Sequence, residues 1–319
     1  MLKSRGGNGI LAAINNANLH GVIMHVPSEM LAGSLCPVTA AVAVVGVGAA
    51  TLALLRDRTS APRAGRFALV CAAVFGLQML NYPVAGGVSG HLIAGVFAAA
   101  LLGVPAGVLA MAVVLTLQTL LFADGGLSML GANVLNMAIL GAGAGGLIRL
   151  AMKRRGLSDA WATGLAAAAS VELAALALSL QLLAGSPAPA AAIAQLIAVH
   201  AVLALVEGAA TAALVGLCAP VADAARARRG YAALAGLVLV CLAAAPFASA
   251  FPDAFGWTMT RFNLLPDAPN FARAPFANYT VASIAQASVS AFAAGVVGVV
   301  AVMAASFSLM KPFARRSRA

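Results

Sequence analysis

The sequence predicts an all-α polytopic membrane protein of about nine transmembrane helices, and three observations carry that prediction. Of the 319 residues, 62% are hydrophobic and only 9% charged, with a mean hydropathy of +0.99. An ordinary soluble domain carries about 25% charged residues, and one of this size would still need a polar surface. The apolar runs are rich in Ala, Leu, Val and Gly and are roughly 17–25 residues long, the length of helices that cross a hydrocarbon core. The short alternating segments of a transmembrane barrel do not occur.

Loop charge sets the order and direction of the spans. The net charge of +10 would suit nucleic acid, but the basic residues fall in short loops between spans, as cytoplasmic retention of Lys and Arg produces. Nucleic acid is therefore not an expected partner; the lipid bilayer is. The clusters are Arg56, Arg58, Arg63 and Arg66; Arg149, Lys153, Arg154 and Arg155; Arg226, Arg228 and Arg229; and Lys311, Arg315, Arg316 and Arg318. With all four inside, an even number of spans must separate successive clusters. One run, 32–55, precedes the first cluster. Runs 67–84, 88–103, 104–122 and 131–148 follow it, with Gly103 and Pro105 punctuating the middle pair. Runs 160–184 and 191–218 lie between the second and third clusters, and 231–250 and 281–308 between the third and fourth. The parity condition is met. The C-terminus is expected inside, and Met24–His25, NYPVAGGVSGH, ADGGLSMLGAN and residues 251–280 outside.

Residues 1–23 make a poor signal peptide: Asn15, Asn16, Asn18 and His20 break the apolar stretch, and no A-x-A cleavage site precedes Met24. The working protein is expected to start at Met24. Cys36, Cys71, Cys218 and Cys241 lie in or beside apolar runs with no CxxC spacing and read as small packing residues.

The polar residues converge on the outer side. If Met24 is the mature N-terminus, its α-amine, the amide nitrogen of His25 and a His25 ring nitrogen can chelate one cation through five- and six-membered rings. An imidazole nitrogen from His91 would complete an all-nitrogen planar set, suited to Ni²⁺ or Cu²⁺, tolerable for Co²⁺ and poor for Mg²⁺ or Ca²⁺. Such donors must be deprotonated, so binding should weaken at low pH. The competing reading is that His25 and His91 cap helices or donate to loop carbonyls. His200 lies inside a span, seven residues before Glu207 and so on one helix face. That pair either hydrogen-bonds to fix packing or touches the metal. Asp124 would cap the next helix or orient an imidazole. Asn81, Asn133 and Asn136 would satisfy backbone groups of a non-helical loop at membrane depth, Ser89 would be a similar cap, and Gly86, Gly87 and Gly90 would let the chain turn tightly beside His91.

Three ordered stretches, NYPVAGGVSGHLIAGVFAAALLG, VVLTLQTLLFADGGLSMLGANVLNMAILG and HAVLALVEGAATAALV, resemble the CbiM/NikM family. These are the substrate-capture membrane components of nickel and cobalt energy-coupling-factor transporters. In that family a Met-His N-terminus and the His of the SGH motif bind the metal, which by resemblance implies Met24, His25 and His91. Members commonly begin MHI followed by PDGFL or MEGFL; here the stretch is MHVPSEML. Residues 251–281, beginning FPDAFGW, resemble the PDGLE-type accessory subunit CbiN or NikN through Phe251, Pro252, Asp253 and Trp257.

The resemblance implies a division into an N-terminal extension (1–23), a seven-helix capture component (24–222), a cytoplasmic linker (223–230) and a two-helix accessory segment (231–319). It also implies Ni²⁺ or Co²⁺ as transported substrate, with no permanent cofactor. The expected location is a bacterial cytoplasmic membrane, and the expected partners are an ATPase pair and a coupling transmembrane subunit. No GxxxxGK[ST] or HExxH occurs, so the chain is expected to be a transporter subunit and not an enzyme. The rival reading is a proton-coupled metal carrier with His200 and Glu207 as its relay.

Overall fold

The structure is a computed structural model that describes residues 25–27, 30–31, 33–219, 224–265 and 274–313. The expected extension 1–23, Met24, and Arg315, Arg316 and Arg318 lie outside the described residues. In chain order the elements are α1 (Leu35–Arg56), α2 (Ala64–Met79), a hairpin of β1 (Tyr82–Ala85) and β2 (Val88–Gly90), α3 (Gly95–Leu102), α4 (Val104–Phe122), α5 (Leu127–Arg154), α6 (Asp159–Gly185), α7 (Ala190–Cys218), α8 (Ala224–Ala244), α9 (Ala254–Arg261) and α10 (Ala287–Met310).

Among the described residues, seven helices are long and apolar enough to cross a membrane. They are α1, α4, α5, α6, α7, α8 and α10. Two of the nine expected spans differ. Helix α2 has 16 residues, about 24 Å, and is buried almost all round, so it runs through the middle of the protein instead of facing lipid. The run 88–103 is not one helix. Residues 88–90 are a strand, 91–94 are non-helical, and only Gly95–Leu102 is helical. Apolar composition could not reveal this, because a buried unwound segment is as apolar as a helix.

Helix α1 carries its apolar side chains outward, with Val44 and Val45 71% and 72% exposed, as expected of a face turned to lipid. Helices α6 and α7 form the closest pair: a Cβ on Gly208 would stand 2.7 Å from the Gly164 carbonyl oxygen, so small residues set their approach. The middle of α5, Val134–Ala144, winds as a π-helix, a form that often marks functional sites.

One end of the bundle collects the basic clusters. Arg66 donates to the carbonyls of Leu101 and Cys218 (3.3 and 3.4 Å), and Asp159 takes Arg149 and Lys153 at 2.6 and 2.7 Å. The expected linker 223–230 is helical from Ala224 on and forms the start of α8. Helices α8 and α10 pack directly on α2 and share one core with it.

Candidate metal site

At the end of the bundle opposite the basic clusters, the hairpin and the loops after α4 and α8 meet. Gly86 and Gly87 take φ of +61° and +82°, the left-handed pair that a tight two-residue hairpin needs. The hairpin pairs Tyr82 with Gly90 and Pro83 with Ser89 and leads directly into His91. Beyond it the unwound backbone must find hydrogen bonds within the protein. Glu207 of α7 supplies them: its two carboxylate oxygens accept the amides of Ile93 (2.8 Å) and Ala94 (2.9 Å), at the positive N-terminal end of α3. Gln78 donates to the Ile93 carbonyl at 2.9 Å, and Thr211 donates to Glu207 at 3.3 Å. The backbone carrying His91 is thereby fixed from two helices.

His25 is fixed through its neighbour. Asn133 accepts the Val26 amide (3.1 Å) and donates to the Val26 carbonyl (3.3 Å), which also takes the Gly126 amide at 3.0 Å. Gly125, at φ +80°, allows this approach, because a Cβ there would stand 2.8 Å from the Asn133 Nδ2 and 2.9 Å from the His25 Cβ. His25 Nδ1 lies 2.8 Å from Asp124 Oδ1, and Asp124 Oδ2 accepts the Tyr279 hydroxyl at 2.6 Å. Burial works to raise the Asp124 carboxyl, yet His25 beside it and the Tyr279 hydroxyl hold it below its ordinary value. Burial first, then the Asp124 charge, pushes the Tyr279 phenol well up, so it remains a donor. Its ring stacks on Phe122 at 4.8 Å.

The two imidazoles face each other with ring centroids 5.9 Å apart and planes at 58°. His91 Nε2 stands 3.9 Å from Asp253 Oδ2, and Asp253 caps α9 by accepting the Gly256 amide at 2.7 Å. Burial pushes the Asp253 carboxyl up to about 7, against the pull of that hydrogen bond. His25 is 3% exposed, and its Nε2 is buried without a hydrogen-bond partner among the described residues. Both rings line a cavity of about 80 Å³ that also reaches Asn136, His200 and Glu207. That space has room for an ion and several waters.

An imidazole bound at about 2.0 Å places its centroid roughly 3 Å from the ion, so two rings on one ion stand roughly 4.5–6.5 Å apart. The observed separation falls in that range. Among the described residues, no three His, Cys, Asp or Glu side chains are gathered as a ready coordination shell. The two histidines would need donors from backbone or from the residue before His25.

Several expected roles change. Asp124 contacts an imidazole and caps no helix. His200 and Glu207 do not pair: the His200 Nδ1 is 2.7 Å from the Leu196 carbonyl of its own helix, while Glu207 holds the unwound backbone. Asn136 bonds Gln181 (2.8 and 3.2 Å) instead of backbone. Asn81 meets the chain through its carbonyl, which accepts the Ser249 amide at 2.9 Å, and its side-chain oxygen has no hydrogen-bond partner among the described residues. Ser89 is no helix cap; its hydroxyl donates to the Phe251 carbonyl at 2.7 Å and its amide to that of Pro252 at 2.8 Å. Gln78, Asp253 and Tyr279 were not expected at the site. Asp253 carries a local signal as an Asp ahead of a short helix. Tyr279 and Gln78 carry none.

The chain is similar to known metal-transport proteins. A family model described as the cobalt uptake substrate-specific transmembrane region matches residues 25–225. A protein of Archaeoglobus fulgidus named for fused nickel transport is 42% identical over 131 residues, 41% of this chain and 43% of that one; the match thus spans less than half of that relative. The cobalt transport protein CbiM of Sorangium cellulosum is 35% identical over 170 residues, 50% of this chain and 73% of its own. A crystal structure of a truncated transition metal transporter superposes with a TM-score of 0.52 at 27% identity, covering 60% of this chain and 96% of that one.

Proposed function

The chain belongs to the CbiM family of cobalt uptake substrate-specific transmembrane proteins, and from that premise we propose that it captures one Ni²⁺ or Co²⁺ ion for ATP-driven import. His25 and His91 would hold the ion, supported by their two rings, whose centroids stand 5.9 Å apart and which line one small cavity. The remaining donors would be the α-amine of Met24 and the amide nitrogen of His25. That chelate requires a chain that begins at Met24, and N-terminal sequencing of metal-loaded protein should read Met-His-Val. An intact residue 1 in loaded, active protein would remove the amine from the site. A six-membered ring with the amide closes through Nδ1, so loading would exchange that nitrogen's Asp124 contact for the ion. Asp124, Asn133, Ser89, Asn81, His200 and Glu207 would act around the ligands and not on the ion.

The site would face outward and the basic clusters the cytoplasm, in a cytoplasmic membrane. The chain would work as the capture subunit of an energy-coupling-factor transporter, with a separate ATPase pair and a coupling transmembrane subunit. A proton-coupled carrier draws less support, because both Glu207 oxygens are taken up by backbone amides and His200 turns to its own helix. Uptake of labelled nickel and cobalt decides between them. Uptake should require the ATPase partners and persist when the proton gradient is collapsed at constant ATP; ATPase-independent uptake that vanishes with the gradient would overturn the proposal.

A further inference from the structure

Several polar ties between the C-terminal segment and the rest of the chain lie around the metal site. Ser249 reaches Asn81, Phe251 and Pro252 receive Ser89, and the Phe276 amide donates to the Leu121 carbonyl at 2.9 Å. Within that seam, two side chains of the segment stand behind the two imidazoles. Asp253 faces His91 across 3.9 Å, and Tyr279 donates to the Asp124 carboxylate that faces His25. We propose that Asp253 and Tyr279 are positioning residues for the bound cation, so that the site built by the first seven helices is completed by the C-terminal segment. This rests on the reading of His25 and His91 as ligands.

The argument is one of orientation and charge. A metal-bound imidazole is usually held through its other nitrogen by a carboxylate or carbonyl, which fixes the ring and raises its donor strength. Asp253 suits that task. One of its oxygens is locked by the Gly256 amide, which aims the other toward His91 Nε2, while the ring's Nδ1 lies 3.4 Å from the Leu92 carbonyl. Loading would rotate the ring, carrying Nδ1 from that carbonyl to the ion and Nε2 to hydrogen-bond length of Asp253. Tyr279 is held by Phe122 and Phe75, with centroids 4.8 and 6.1 Å away. It sits, like Asn278 before it, in the left-handed backbone region, at φ 57° and 55°. That conformation is costly for an aromatic residue and persists only where the surroundings impose it. Its hydroxyl occupies the Asp124 oxygen that His25 does not face, so that carboxylate would stay fixed beside the ion when His25 Nδ1 turns from it to the metal. With Asp124 and Asp253 both charged, two buried carboxylates would balance a dication in a site withdrawn from water.

Cobalt titration of the purified full-length chain, followed by its visible absorption, tests the assignment. Asp253→Asn and Tyr279→Phe should each weaken Co²⁺ binding about 10–100-fold and shift the absorption bands, while Asp253→Glu recovers part of the affinity. His91→Ala is the reference for loss of the site. If Asp253→Asn and Tyr279→Phe bind like the wild type, with unchanged spectra, while His91→Ala does not bind, the positioning assignment fails and the metal site stands. A wild type that takes up neither cobalt nor nickel overturns both. Should Asp253→Asn not fold, Asp253→Glu decides in its place, since a displaced carboxylate that leaves affinity and spectrum untouched also contradicts the proposal.

Discussion

Asp253 is a carboxylate kept from water beside an imidazole, and that gives the protein a pH signature. Its folded-state value of about 7 lies above the ordinary 3.8, so the folded chain keeps a proton that the unfolded chain has released. The linked stability is complete below the ordinary value and is lost as pH rises through about 7. Without cation, the Tm of the wild type should fall between about pH 4 and 7 more steeply than that of Asp253→Asn. Parallel profiles would show that Asp253 does not titrate this way. At this scale the sequence was half legible. His25, His91 and Asp124 stand out as polar residues at the ends of apolar runs, His91 and Asp124 beside glycine. Tyr279 meets Asp124 from 155 positions away, and no local pattern encodes such a contact.

The hairpin, the unwound residues 91–94 and α3 act as one device, which brings a histidine to the cavity while its backbone groups are satisfied elsewhere. Glu207 is its anchor. Glu207→Gln removes the charge that strengthens two buried hydrogen bonds and points an amide donor at backbone donors, which should cost about 1.5–3 kcal/mol. Unfolding in detergent measures this, and a Tm equal to that of the wild type would contradict the anchoring role. The tight turn was readable from GlyGly, because glycine takes positive φ values without steric cost. The interruption of the 88–103 helix was not. Its stabilising groups, Glu207 and Gln78, belong to other helices, and HLIAGVFAAALL reads the same wound or unwound.

The described residues form a bundle with the basic loops at one end and the histidine pair at the other. That arrangement was legible because it follows from charge in the loops and from the parity of apolar runs, both independent of packing detail. The place of the C-terminal helices was not, since α8 and α10 insert their faces against α2 and form no separate body. The central claim is that His25 and His91 bind one transition-metal ion at the end away from the basic clusters. Equilibrium binding of Ni²⁺ and Co²⁺ to the purified chain, with His25→Ala and His91→Ala beside it, tests that most directly. One ion per wild-type chain, lost in both variants while each stays folded and inserted, is the predicted result. Undiminished binding by either variant would contradict it.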